Sequence, residues 1–388
     1  MKTVRAMLLN AVFWGGWFGV FDPALAQVWT QTRAPSNSWY SVASSADGLK
    51  WVAVCPNGIW ITTNSGTTWT QTSATNINWV RVVSSADGTK LAAFETYTSE
   101  IYLSTDSGNT WAPSNIGRMS LSSIAIAISA DGNTLAAMQN TGLINITTNS
   151  GTSWKTVTNT LRWVSVAMSA DGTKMAASAR STMGIYGSLW ASTNSGSTWT
   201  TINKYQEIWQ GVASSANGNT LVAGCVGGIF TTTNRGYTWS WFSVPNQNNE
   251  LCYVTSSADG SKLDALMSDG RILVSTNSGV NWTSNNVVGA AWLACASSAD
   301  GNTLVAINGA RIWTTQTPPV PFMGIAPTDG SLALSWTIPS TNFILQQSAD
   351  LTAWADVTNL PVLNLTNLHN EVTLPPSGNS GFYRLRTP

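Results

Sequence analysis

The sequence predicts an all-β protein, a seven-bladed β-propeller closed by its own N-terminal strand and followed by a small β-sandwich. Two observations predict this fold. The composition is rich in strand and turn formers, with 21 Trp and 32 Gly but only 9% charged residues. The tetrapeptide Ser-Ala-Asp/Asn-Gly recurs at intervals of 40 to 46 residues, and a four-stranded propeller blade takes about 40–45 residues. Its third residue stands at seven positions, which are Asp47, Asp87, Asp131, Asp171, Asn217, Asp259 and Asp300.

Residues 1–26 have the pattern of a secretory signal peptide. Lys2 and Arg5 precede an apolar run over residues 6–21, and Ala24-Leu25-Ala26 is a small-x-small cleavage site. The alternative is a membrane anchor, but the run is shorter than the ~20 residues that a membrane span needs. The pattern therefore predicts cleavage after Ala26 and a secreted, periplasmic or cell-surface protein without a transmembrane segment.

Residues 27–317 contain the repeats, and each unit has the strands of one blade. An apolar strand precedes the tetrapeptide and a second strand follows it, as residues 79–83 and 90–94 do around Asp87. The Asp-Gly pair between them is a hairpin signal, because tight turns require positive φ. A third strand leads to a second turn, and a Trp opens the fourth strand. Four short strands in each unit are typical of a propeller.

The second turn occurs six times, with Asn or Asp first, Gly two residues later and Trp three residues after the Gly. The Asx side chain accepts backbone N–H groups across the turn, Gly takes the left-handed conformation, and Trp packs on the hairpin. The pattern resembles the Asp-box of sialidase-like β-propellers, with Asn in place of Asp in five copies. That resemblance implies peripheral turns with a structural role. They comprise Asn64, Gly66, Trp69; Asp106, Gly108, Trp111; Asn149, Gly151, Trp154; Asn194, Gly196, Trp199; Asn234, Gly236, Trp239; and Asn277, Gly279, Trp282.

The end of the seventh unit predicts how the ring closes. Its third strand, residues 312–316, is followed by Pro318-Pro319 instead of a second turn and a fourth strand. The missing strand stands at the N-terminus, where Trp29-Thr30-Gln31-Thr32 repeats Trp69-Thr70-Gln71-Thr72. We expect it to complete the seventh blade, so that no sheet edge remains free.

The repeat stops at residues 318–321, a Pro-rich linker, and residues 322–388 form a separate unit. Residues 332–336 alternate as a half-buried strand, and further strand candidates follow at residues 342–348, 354–357, 371–374 and 382–386. We expect a small β-sandwich. It resembles the fibronectin-III-like modules at the ends of large secreted bacterial proteins, which implies attachment or spacing.

The composition excludes several classes of function. Basic and acidic residues balance at 18 each, so no positive field attracts nucleic acid. The only histidine, His369, lies outside the propeller, which excludes a Ser-His-Asp triad or a His-based zinc site within it. Each turn offers one carboxylate, whereas Ca²⁺ takes six to eight oxygens. The sequence predicts a monomer with no metal and no cofactor.

The four cysteines are predicted to be unpaired. Cys55 and Cys225 occupy the same register in the first and fifth blades, too far apart for a disulfide. Cys252 and Cys295 begin adjacent inner strands but differ by two residues in register.

Five tryptophans stand six residues before the Ser of a tetrapeptide, where the inner strand begins at the mouth of the central channel. Two interpretations remain open. The rings form an aromatic platform for sugar rings or a partner protein, or they pack between adjacent blades, as a residue that recurs in most blades usually does. They are Trp39, Trp79, Trp163, Trp209 and Trp292.

Residues that break the repeat on the same face are the other candidate ligand contacts. Arg81 replaces a small or apolar residue of its register. It follows Trp79 by two residues, so both side chains are expected on one side of the strand and in one pocket. Tyr205 and Glu207 lie in a later loop between blades.

Two hypotheses of function follow. The first is a secreted, non-catalytic propeller that binds a protein or glycan partner through the Trp-rimmed face of the channel. It also resembles the Asp-box propellers of photosystem II assembly factors, which implies a binding scaffold. The alternative is a glycoside hydrolase of the sialidase-like superfamily. A glycosidase needs two carboxylates at a defined separation, and Arg33-Ala34-Pro35 is a poor match to the sialidase Arg-Ile-Pro signature. Two carboxylates or three arginines in one pocket would distinguish the hydrolase.

Overall fold

A computed structural model describes residues 29–74, 77–119, 124–181, 186–203, 205–244, 252–286, 291–316, 323–328, 331–337, 344–349, 352–359, 361–364, 369–374 and 382–386. The predicted signal peptide (1–26) and linker (318–321) lie outside these residues. Across the described ranges the structure is all-β, and it contains no helix that is long and apolar enough to cross a membrane.

The repeats fold into four-stranded antiparallel sheets, each built from consecutive strands, as in a β-propeller. Strand β1 (Trp29–Gln31) comes first in the chain and stands apart from this scheme. The first three sheets are β2 (Ser41–Ser44), β3 (Trp51–Cys55), β4 (Gly58–Thr62) and β5 (Thr70–Gln71); β6 (Trp79–Ser84), β7 (Leu91–Glu95), β8 (Ile101–Ser104) and β9 (Ala112–Pro113); and β10 (Ile124–Ile128), β11 (Leu135–Gln139), β12 (Leu143–Thr147) and β13 (Lys155–Thr158).

The next three sheets repeat this order. They are β14 (Arg162–Met168), β15 (Met175–Arg180), β16 (Gly187–Ser192) and β17 (Thr200–Thr201); β18 (Trp209–Ser214), β19 (Leu221–Cys225), β20 (Gly228–Thr232) and β21 (Ser240–Ser243); and β22 (Cys252–Ser256), β23 (Leu263–Met267), β24 (Arg271–Ser275) and β25 (Thr283–Asn286).

A further sheet takes its outer strand from the other end of the repeats. It consists of β26 (Ala294–Ser297), β27 (Thr303–Ile307) and β28 (Ile312–Gln316), with β1 paired antiparallel on β28. In that pairing Trp29 lies opposite Thr315 and Gln31 opposite Trp313. Trp29 packs 5.2 Å from Trp292 between ring centroids, as Trp199 packs 5.2 Å from Trp163 in the fourth sheet. The N-terminal strand thus takes the place of the fourth strand that the sequence lacks there.

The alanines of the tetrapeptides connect neighbouring sheets around the axis. Each donates its backbone N–H to the carbonyl oxygen of the next alanine, at 2.7–2.9 Å, and Ala299 donates to Ala46. The bonds therefore return to the sheet in which they begin. The alanines form one buried or partly buried cluster, which consists of Ala46, Ala86, Ala130, Ala170, Ala216, Ala258 and Ala299.

Lysines add a second link between neighbouring tetrapeptide turns. Lys50 Nζ donates to the carbonyl oxygen of Asp87 at 2.8 Å. Lys174 makes the equivalent bond to Asn217 at 2.6 Å, and Lys90 and Lys262 reach Asn133 and Asn302. The tetrapeptide is therefore both a hairpin turn and a contact between sheets.

The cysteines are free, as predicted from their registers. Burial raises the pKa of the Cys225 thiol to about 12 and raises that of Cys252 further. Thiols in such surroundings are unreactive, because the thiolate is the nucleophile.

The C-terminal residues form two sheets of their own. One has the order β29 (Met323–Thr328), β30 (Ser331–Thr337), β34 (His369–Leu374), β33 (Val362–Asn364), and the other the order β32 (Ala355–Asp356), β31 (Ile344–Ser348), β35 (Phe382–Arg386). Leu345 of the second sheet packs in a buried cluster with Trp336 and Leu334 of the first.

Candidate functional site

The inner strands surround a channel whose mouth lies at their N-terminal ends. A cavity of about 420 Å³ lies at that end, and we call it the channel mouth. Its polar lining includes Tyr40, Ser41, Arg81, Ser165, Gln210 and Tyr253. At the opposite end the tetrapeptide serines and alanines line a smaller space of about 170 Å³. The mouth thus offers the wider and chemically more varied opening.

Arg81 supplies the positive charge of the channel mouth. Its side chain is open to the channel, yet the surrounding walls desolvate it and lower its pKa, an effect that Tyr253 opposes. An arginine remains protonated at neutral pH. Its Nη1 donates to the carbonyl oxygen of Val80 at 3.0 Å. Among the described residues that line the cavity there is no Asp or Glu, so the charge is available to an anionic or strongly polar ligand group.

A β-bulge separates the directions of Trp79 and Arg81. The pairing of β6 with β7 shifts register between these two residues, and the extra residue reverses the alternation of side chains. Trp79 is fully buried, whereas Arg81 is exposed. The prediction that both point to one side of the strand and share a pocket is therefore wrong. The same bulge occurs between Trp163 and Ser165 and between Trp209 and Gly211.

The five tryptophans of the shared register lie between sheets. Each is 0% exposed, so none presents a ring face to a ligand in this structure. Trp79, for example, packs with residues of β3 and β4 from the preceding sheet. Two of the indoles donate across the interface, from Trp209 Nε1 to Gly187 O at 3.0 Å and from Trp292 Nε1 to Gly270 O at 3.3 Å. Their burial agrees with the packing interpretation and leaves the aromatic platform without exposed rings at Trp39, Trp79, Trp163, Trp209 and Trp292.

Tyr205 and Glu207 do not join Arg81 at the channel mouth. Glu207 forms a backbone bridge with Gly187, and burial raises the pKa of its carboxyl group. Tyr205 is half exposed and lies in a separate groove at the side of the fourth and fifth sheets. Neither residue lines the channel mouth, so the structure does not bring them together with Arg81.

Glu95, which the sequence places in a long loop over residues 94–100, is instead a buried carboxylate at the end of β7. It is 0% exposed and accepts backbone N–H groups from Tyr97 at 2.5 Å and from Thr98 at 2.8 Å. These bonds hold the loop between β7 and β8. The sequence shows it as a charged residue at the end of an otherwise apolar strand.

The second turns have the geometry expected from their sequence. Asn64 Oδ1 accepts the backbone N–H of Thr68 at 2.9 Å, and Asp106 makes the same bond with Thr110 at 2.9 Å. Asn therefore performs the role of Asp here. Gly66 has a φ of +80°, and a Cβ at that position would stand 2.6 Å from the Trp51 ring. The hydrogen bonds and close packing within these turns account for their Asn, Asp and Gly residues without a ligand.

Acid is expected to destabilise the sheets through the tetrapeptide turns. Burial alone would raise the pKa of Asp87, Asp131, Asp171 and Asp259, but hydrogen bonds from a Ser hydroxyl and a backbone N–H outweigh it and lower each pKa. A lowered pKa stabilises the fold above the unfolded value of ~3.9, and this stabilisation is lost as the pH falls through the folded-state pKa. We expect the melting temperature, measured by circular dichroism, to decrease as the pH is lowered below about 4.

The tetrapeptide turn of the fifth sheet supplies the control for this prediction. Asn217 accepts the same bonds there, from Ser215 Oγ at 2.9 Å and from the backbone N–H of Asn219 at 2.8 Å. Changing all four aspartates to asparagine should therefore preserve the turns and make the acid dependence shallower. An unchanged dependence would contradict the assignment.

Comparisons with known proteins give the fold of this chain. No described protein family matches the sequence, and no curated protein does. Among solved structures, YCF48 bound to D1 peptide is similar with a TM-score of 0.58 and 17% identity, over 82% of this chain and 100% of that chain. YCF48 from Cyanidioschyzon merolae is similar with a TM-score of 0.57 and 16% identity, over 75% and 98%. Kuenenia stuttgartiensis hydrazine synthase has a TM-score of 0.60 and 12% identity, over 74% and 98%.

Proposed function

We propose that this chain is a secreted, non-catalytic β-propeller that binds a segment of a partner protein at the channel mouth. The observation that carries the proposal is Arg81. It stands with Tyr40, Gln210 and Tyr253 in an open cavity whose described lining has no carboxylate. A cation flanked by tyrosine and amide groups recognises a carboxylate or a backbone carbonyl by charge-assisted hydrogen bonds.

The proposed architecture is a seven-bladed ring closed by the N-terminal strand. The pairing of β1 with β28 and the return of the alanine bonds from Ala299 to Ala46 support it. The bond from the Thr68 backbone N–H to Asn64 Oδ1 supports the assignment of the second turns as Asp-boxes. The two C-terminal sheets are consistent with a β-sandwich of the fibronectin-III-like type. Export follows from residues 1–26, and the exported protein would begin at Gln27.

The likeness to YCF48 bound to D1 peptide supports a protein partner over a glycan at the mouth. In that complex a propeller of this general architecture binds a peptide. The inner-strand tryptophans also favour a peptide, because all five are buried and none offers a ring on which a sugar could stack.

The hydrolase alternative finds no pair of carboxylates among the described residues that line the channel mouth. A glycosidase needs two carboxylates across a cleft. Glu95 is enclosed by backbone N–H groups, and the aspartates of the tetrapeptides are engaged in their turns, as Asp47 is with Ser45 and Leu49. We therefore do not propose catalysis.

Arg81→Ala is expected to abolish partner binding and leave the fold intact. Three proteins would be compared: the wild type, Arg81→Ala and Arg311→Ala. Each would be immobilised and exposed to an extract of the producing cells. The proteins that it binds would be crosslinked to it and quantified by mass spectrometry. Arg311 is an exposed arginine outside the channel mouth and is the matched control. A partner of the mouth is retained by wild type and Arg311→Ala and is reduced at least tenfold by Arg81→Ala. Equal retention by all three, or turnover of an aryl glycoside that a single Glu→Gln change removes, would contradict the proposal.

A further inference from the structure

One of the six second turns departs from the others at two positions. Residue two of the turn is Ser in five copies but Arg235 in the fifth, and residue four is Thr, Asn, Ser or Val elsewhere but Tyr237 in the fifth. Tyr237 is 86% exposed. A residue that recurs in every unit serves the fold, whereas these two occur once and bury little of themselves.

Both residues line a groove between the fourth and fifth sheets. We call it the side groove, a space of about 860 Å³ bounded on one side by β17 and the loop after it, and on the other by the fifth second turn. Its aromatic residues are Tyr205, Tyr237 and Trp239. Its polar residues carry hydroxyl, amide and guanidinium groups and include Thr193, Thr200, Thr201, Asn203, Arg235 and Thr238. The described lining has no carboxylate.

The walls of the side groove are fixed by hydrogen bonds and ring contacts. Trp239 Nε1 donates to the carbonyl oxygen of Ile202 across the groove at 2.8 Å. Asn203 accepts the backbone N–H of Leu189 at 2.7 Å and donates to the carbonyl oxygen of Tyr205 at 3.2 Å. The Tyr205 ring packs on Phe230 with centroids 5.0 Å apart. A ligand would therefore meet preformed surfaces, which lowers the entropic cost of binding.

The structural role of the turn does not explain Arg235. Its Nε donates to Asn219 Oδ1 at 2.7 Å, and in the third unit Ser150 Oγ makes the equivalent bond to Asn133 Oδ1 at 2.8 Å. A serine therefore suffices for the link. The φ of +61° at Arg235 belongs to the turn, because the serine at this position has a φ of +50° to +59° in the other five copies. What arginine adds is a guanidinium group at the edge of the side groove.

We infer that the side groove binds an oligosaccharide. The C–H face of a pyranose ring packs on exposed tyrosine rings, and its hydroxyl groups pair with amide, hydroxyl and guanidinium groups, which are the two kinds of surface that the groove places together. The planar guanidinium of Arg235 can donate two parallel bonds to vicinal hydroxyls or to the carboxylate of an acidic sugar. This site is separate from the channel mouth and does not depend on the function proposed there.

The test is binding of the intact protein to an array of defined neutral and acidic oligosaccharides, followed by calorimetric titration with the free oligosaccharide that gives the strongest signal. Tyr237→Thr and Arg235→Ser restore residues that other second turns carry, so both variants should fold. We expect each to weaken binding at least tenfold. Val280→Thr changes the position equivalent to Tyr237 in the sixth turn and should leave affinity within twofold, as should Arg81→Ala.

Either of two results would overturn the inference. One is that no oligosaccharide of the array binds at millimolar concentration. The other is that the bound oligosaccharide is held equally by the wild type, Tyr237→Thr and Arg235→Ser. Because Arg81→Ala reports on the channel mouth alone, failure of one site remains distinguishable from failure of the other.

Discussion

A protein that begins at residue 34 is expected to aggregate or to melt far below one that begins at residue 27. The deletion removes β1, exposes the backbone of β28 as a free edge, and takes Trp29 away from Trp292. Free edges promote pairing with other chains. The missing strand also removes one wall of a cluster that includes Leu266 and Ile272 of the preceding sheet.

Point variants distinguish the effect of losing strand β1 from the effect of losing the indole ring of Trp29. Trp29 is half-buried, so Trp29→Ala should cost somewhat less than the ~3–5 kcal/mol typical of a fully buried Trp. Thr30 is exposed on the same strand, and Thr30→Ala should stay within ~0.5 kcal/mol of wild type. Urea denaturation followed by tryptophan fluorescence measures all three. Equal stability of the truncated and full-length proteins would show that β1 does not close the ring.

The sheets and turns were predictable because their signals are local and repeated. An Asp-Gly turn depends on its own four residues, and repetition of the pattern identified it from the chain alone. The origin of β1 was also predictable, since residues 29–32 match residues 69–72 and nothing else in the chain supplies the missing strand. The bonds among the tetrapeptide alanines were not predictable, because the chain spacing does not show that these turns meet around one axis.

The direction of side chains at the start of each inner strand was the point at which sequence reasoning failed. Alternation along a strand holds only while the pairing register is constant, and the bulge after Trp79 depends on how β7 pairs with β6. The side groove was missed for a different reason. Arg235 and Tyr237 are visible in the sequence, but they lie within a motif recognised by its Asn, Gly and Trp, and only the structure places Tyr205 beside them.

The packing role of the shared tryptophans gives the second large expected effect. Trp79→Ala should lower the free energy of unfolding by about 3–5 kcal/mol, a large share of the ~5–15 kcal/mol of a typical domain. The side chain is 0% exposed and contacts Tyr102 at 5.1 Å between ring centroids. Its removal leaves a cavity between the first and second sheets, which the surrounding strands cannot fill without breaking their pairing.

Arg81→Ala is the matched control, because it lies two residues along the same strand but beyond the bulge. Its exposed side chain predicts a change of at most ~0.5 kcal/mol in stability together with loss of partner binding. The Trp79 variant should show the reverse, a lower melting temperature with unchanged affinity in the fraction that remains folded. Chemical denaturation and titration of the same two proteins measure both quantities. If Trp79→Ala kept its melting temperature and lost its partner, the ring would be a ligand contact, and the inner-strand tryptophans would belong to the binding site after all.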